Sequence, residues 1–97
     1  MFTILTSKPG QYRTEPGDGM RKVESWDYLF YGRRHARFDI VEMEQDVKVR
    51  VIDEAGADVV NHVPSKFLEK FATIDAARAS LRQLVKFGAM DITLVKL

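Results

Sequence analysis

The sequence predicts an α+β fold: a curved antiparallel β-sheet, built as a meander of hairpins, packed by a C-terminal helix and finished by a short strand. Three observations lead there. Between Trp26 and Val63 the chain is rich in aromatic and β-branched residues that alternate with polar ones; Val47, Val49 and Val51 around Lys48 and Arg50 show it best. From Ile74 onward the apolar period lengthens to that of a helix, through Ala77, Leu81, Leu84 and Val85. Glycine and proline cut the strand-like stretches into lengths suited to hairpins.

Taken in order, residues 2–5 read as a first strand. Residues 6–22 follow as a long polar segment with Pro9-Gly10, Pro16-Gly17 and Gly19. Pro presets the first central angle of a type II turn and Gly accepts the positive φ of the second, so this segment reads as a mobile Pro/Gly-rich loop. Residues 26–31 form a strand with Trp26, Tyr28 and Phe30 on one face, turning through Gly32-Arg33-Arg34 into a returning strand over 35–43. The apolar parity shifts from Phe38 and Ile40 to Val41 and Met43, which implies a bulge or burial on both faces. Residues 47–51 and 59–63 make the next pair, turning over 53–58.

Ser65 is placed to cap a short helix bearing Phe67, Leu68 and Phe71. Thr73 caps a longer one over 74–87, with Asp75 against the positive end of its dipole and Gly88 as its stop. Arg78, Arg82 and Lys86 recur every four residues on a face away from the apolar stripe. Residues 92–95 close the chain as a strand beside the first strand or the meander.

Ninety-seven residues make one domain spanning 1–97, with enough chain to bury roughly 65% of its unfolded surface without a disulfide or structural metal. The chain has no cysteine, which excludes a thiolate nucleophile, a disulfide framework and any zinc or iron–sulfur site built on sulfur. Residues 1–10 lack the basic start and apolar core of a secretory signal, and no apolar run reaches the ~18 residues of a membrane span, so a cytoplasmic protein with no membrane contact is expected. The net charge of +1 is unevenly spread, with basic excess in residues 1–40 and acidic excess in 41–72. Such blocks can steer a charged partner.

No motif carries a reaction. GxSxG, P-loop and GxGxxG patterns are absent from the sequence, and His35 and His62 have no metal-ligand spacing. Neither a catalytic residue nor a cofactor or metal is therefore assigned. Glu42, Glu44 and Asp46 would share a face in a continuous strand, although without the glycine-bearing loop of a calcium site.

The candidate binding residues are Tyr31, Arg33, Arg34, His35 and Arg37 of the aromatic–basic hairpin, with Tyr12 and Arg13 of the 6–22 segment. Guanidinium groups and aromatic rings side by side suit single-stranded nucleic acid, while rings that fill a core beside solubilising arginines suit a plain hairpin. The leading expectation is a small non-enzymatic binding or accessory protein acting on a protein partner. A polyanion or single-stranded nucleic-acid binder using residues 26–38 is the alternative. The third is a small enzyme with Tyr31, His35 and Asp39 converging between sheet and helix.

Overall fold

The computed structural model describes residues 1–56, 59–85 and 90–97. Its strands fall into two antiparallel sheets rather than one. The larger contains β1 (Phe2–Ser7), β3 (Arg21–Phe30), β4 (Arg33–Glu42) and β7 (Ile92–Lys96), in the order β1-β4-β3-β7. The smaller holds β2 (Tyr12–Glu15), β5 (Lys48–Asp53) and β6 (Val60–Pro64), in the order β2-β5-β6. One α-helix among the described residues, α1 (Ile74–Gln83), completes the α+β fold. No described helix is long and apolar enough to cross a membrane.

The large sheet is the middle layer. On one face Ile40 packs with Ala77 and Leu81 of α1, joined by Ile4, Trp26, Phe38 and Leu94 from the strands. On the other, Leu5 and Val41 pack against Val49 of the small sheet, with Met20, Val63 and Leu68 around them. Ile40 and Val41 are adjacent and both 0% exposed. The parity shift in β4 is thus burial on both faces. A bulge does lie opposite, in β3, where the register slips between Lys22 and Glu24.

The segment 6–22 is not one loop. It contains the end of β1, all of β2 and the start of β3. Pro9-Gly10 turns the chain as expected, with the Gln11 amide donating to the Lys8 carbonyl at 3.0 Å and Gly10 at φ 79°. Buried Thr14 then ties β2 back to β1: its amide donates to Ser7 Oγ at 2.9 Å and its hydroxyl to the Thr6 carbonyl. Order here comes from backbone pairing with β5, which polar residues supply as well as apolar ones. Gly17 lies so close to the Lys48 carbonyl that a Cβ there would collide with it.

The β3–β4 turn is also tighter than expected. Tyr31 and Gly32 are its two central residues, with φ of 50° and 78°, and Phe30 faces Arg33 across it. Positive φ at both positions is the signature of a type I′ turn, whose twist matches that of the strands. Arg33 and Arg34 consequently belong to β4.

Past β6, Ser65 does not cap its short 3₁₀ turn (Ser65–Phe67). Fully buried, its hydroxyl accepts from the Val47 amide at 3.0 Å and donates to Asp46 at 2.9 Å. The strap that follows is pinned to β1 by reciprocal Phe2–Phe71 backbone bonds and by the Thr3 hydroxyl donating to the Glu69 carbonyl. Thr73 caps α1 through the Ala76 amide at 3.1 Å. The helix ends at Gln83, short of the expected 87; Lys86, Phe87 and Gly88 lie outside the described residues.

Arg78 leaves the solvent row expected for it. Its guanidinium donates to both oxygens of Glu24, a carboxylate only 4% exposed, and to Asp75. Trp26 Nε1 and Lys96 complete the cluster. The Arg78 hydrogen bonds hold the Glu24 pKa at about 2, against an ordinary 4.5. A depressed folded-state pKa adds stability above pH 4.5 that is lost as pH falls towards 2. Acid titration of thermal stability should show this loss, and Glu24→Gln should flatten it while costing about 1–3 kcal/mol at neutral pH. Separately, Leu81→Ala should cost about 2–5 kcal/mol in a urea titration, whereas Arg82→Ala, on the exposed side of α1, should stay within ~0.5 kcal/mol.

Candidate functional site

A cleft of about 710 Å³ opens between the two sheets. One wall comes from the large sheet through Lys22, Arg34, Arg37 and Asp39. The other comes from the small sheet and its turns, through Arg13, Glu15, Arg50 and Glu54. Pro9, Gly10 and Pro16 form its rim.

Arg34 and Arg37 reach the same wall because of a bulge. In an unbroken strand, residues three apart point to opposite faces. Here Tyr28 pairs with Ala36 but Leu29 pairs with Arg34, so His35 is the extra residue. Arg37 faces Asp27 across the ladder and Arg34 faces Leu29, two positions further along the same side of β3.

The cleft's charges are mostly matched. Arg37 binds Asp27 through both oxygens, Nε at 2.9 Å and Nη2 at 3.3 Å, and these bonds raise its pKa further above the ordinary arginine value. Arg50 pairs with Glu15 at 2.7 Å, while Arg13 approaches Glu54 at 3.3 Å and Glu15 at 3.6 Å. On the floor, buried Asp39 accepts from Ser25 Oγ at 2.6 Å and stands 3.8 Å from Lys22. Exposed Arg34 forms no ion pair with any described residue.

The candidate residues therefore separate. Arg13, Arg34 and Arg37 gather in the cleft. His35 turns to the opposite face, its ring 6.0 Å from those of Tyr28 and Phe30. That aromatic row continues through Tyr28–Phe38 contact into the helix-side core. Tyr31 sits in the turn, 58% exposed, edge-on to Phe30, and Arg33 is exposed beside it. Tyr12 is half-buried opposite Asp53 in β2 and does not line the cleft. Tyr31 and His35 do not converge with Asp39, which lies on the other side of the sheet. Nor do Glu42, Glu44 and Asp46 share a face, since β4 ends at Glu42; Glu42 pairs with Arg21 and Asp46 with Ser65 and Lys70.

No family model, curated protein or solved structure matches the chain. The site is thus read from its own chemistry. Lys22, Arg50, Glu15 and Ser25 escape sequence reasoning as site residues, because each is one polar residue in an alternating strand. Arg50 carried the nearest thing to a signal, as a polar position in the most regular strand.

Ser25→Ala should expose the worth of the cleft floor. It leaves a buried carboxylate without its hydroxyl donor, and chemical denaturation should register a loss of about 1–3 kcal/mol.

Proposed function

We propose that this protein is a non-enzymatic binding domain that seats an anionic segment of a partner protein in the cleft between its two sheets. One observation carries the reading: the bulge at His35 turns Arg34 into a wall already holding Arg37, where no described carboxylate neutralises it. A guanidinium left open at the mouth of a cleft is a ready donor for an incoming oxyanion. Loops at the rim and rigid strands behind them suit recognition, in which preformed donors reduce the entropy lost on binding.

Single-stranded nucleic acid is the weaker reading. It requires rings and cations on one surface. Here Tyr28, Phe30 and His35 stand on the helix side with Arg33 alone of the hairpin arginines beside them, while Arg34 and Arg37 are on the cleft side.

Amide chemical shifts of the full chain, titrated with a short peptide alternating serine and glutamate, test the proposal. Shifts should concentrate at residues 13, 34, 37 and 50. Affinity should fall at least about tenfold as salt rises from about 0.1 M to about 1 M, where the Debye length drops from ~10 Å to ~3 Å. Arg34→Glu should remove the response. A single-stranded oligonucleotide that binds more tightly than the peptide, or shifts confined to the hairpin tip at residues 30–33, would defeat it.

A further inference from the structure

We infer that the group seated at Arg34 is a single carboxylate and not a phosphate, an inference that rests on the cleft being the ligand site. The cleft walls carry five cations, Arg13, Lys22, Arg34, Arg37 and Arg50. Four carboxylates answer four of them: Asp27, which does not itself line the cleft, on Arg37; Asp39 near Lys22; Glu15 on Arg50 and Arg13; and Glu54 on Arg13. Five against four leaves one positive charge, and Arg34 is the cation without a described partner.

Geometry and charge select the same group. The planar fork of one guanidinium matches the two oxygens of one carboxylate, with parallel hydrogen bonds. A phosphomonoester carries up to a second negative charge at neutral pH and needs further donors for its third oxygen. Two of the other cleft guanidiniums are engaged. Arg37 spends its fork on Asp27, and Arg50 is held by Glu15. Meanwhile Glu15, Glu54 and Asp39 also line the cleft and already offset its other cations, so a second negative charge finds no further unpaired cation among the described residues. A carboxylate completes the charge balance of the cleft, whereas a dianion overshoots it.

Three peptides of one sequence, with glutamate, glutamine or phosphoserine at a single central position, separate the possibilities. Each is titrated against the full chain near neutral pH in a phosphate-free buffer, and amide shifts at residues 13, 34, 37 and 50 are followed. The glutamate peptide should bind at least roughly fivefold more tightly than the phosphoserine peptide, and the glutamine peptide should give no saturable response. Arg34→Lys, which keeps the charge but loses the fork, should weaken glutamate binding roughly tenfold, about the worth of one charge-assisted hydrogen bond. Phosphoserine binding equal to or tighter than glutamate binding at these residues overturns the carboxylate assignment and leaves the cleft standing as the site. Absence of cleft shifts with both charged peptides overturns the assignment together with the reading beneath it. Arg34 is exposed, so its variants should fold, and an unchanged spectrum of the free protein verifies this.

Discussion

Burial of β4 on both faces is the constraint from which the rest of the architecture follows. Ile40 and Val41 are neighbours in sequence, so their side chains leave the strand in opposite directions, and both are wholly removed from solvent. One layer cannot cover two faces. The helix takes the Ile40 side with Ala77 and Leu81, and the small sheet takes the Val41 side with Val49. A three-layer arrangement is therefore required by two adjacent apolar residues in a central strand. The short strap after β6 must then cross from one layer to the other, and its pins at Phe2, Thr3, Val47 and Asp46 are the backbone and hydroxyl bonds that make the crossing affordable.

Two clusters of charge sit on either side of that sheet and are used differently. On the helix side, Glu24 is enclosed and fully answered by Arg78, Trp26 and Lys96, so it locks α1 to β3. Among the described residues no buried side-chain nitrogen or oxygen lacks a partner, which is what makes enclosure of such a group tolerable. On the cleft side two of the arrangements are looser and more open to water. Lys22 stands 3.8 Å from Asp39, and Arg13 divides itself between two glutamates. Charges held that way can exchange partners, because the energy of an exposed pair is small.

Irregularities in the β3–β4 ladder decide which side chains meet which layer. The slip between Lys22 and Glu24 sends Lys22 to the cleft while Val23 packs in the helix-side core and Glu24 reaches Arg78. The slip at His35 sends Arg34 to the cleft and His35 to the aromatic row. Both occur in the ladder between two ten-residue strands. Bulges at such places re-aim single side chains without breaking the sheet.

Local chemistry was enough to read most of the strands and the main helix. Alternation marked β5, the change of period marked α1, Thr73 marked its start, and Pro9-Gly10 marked its turn, because each of these is an interaction among residues close in sequence. The α+β class and the presence of a helix over an antiparallel sheet followed from them. Three things did not follow. β2 was hidden in a polar segment because its stability lies in the β5 ladder, a pairing between residues about forty positions apart. Division into two sheets was hidden because β3–β4 and β5–β6 look like one meander until β2 claims the free edge of β5. The cleft was hidden for the same reason, compounded by the bulge: Arg34 and Arg37 are an odd number of residues apart, and regular alternation assigns them to opposite faces. Sequence alone determined which residues prefer strand, helix and turn; the tertiary structure decided which faces they share, because register and layer pairing are set by contacts between distant segments that no local window contains.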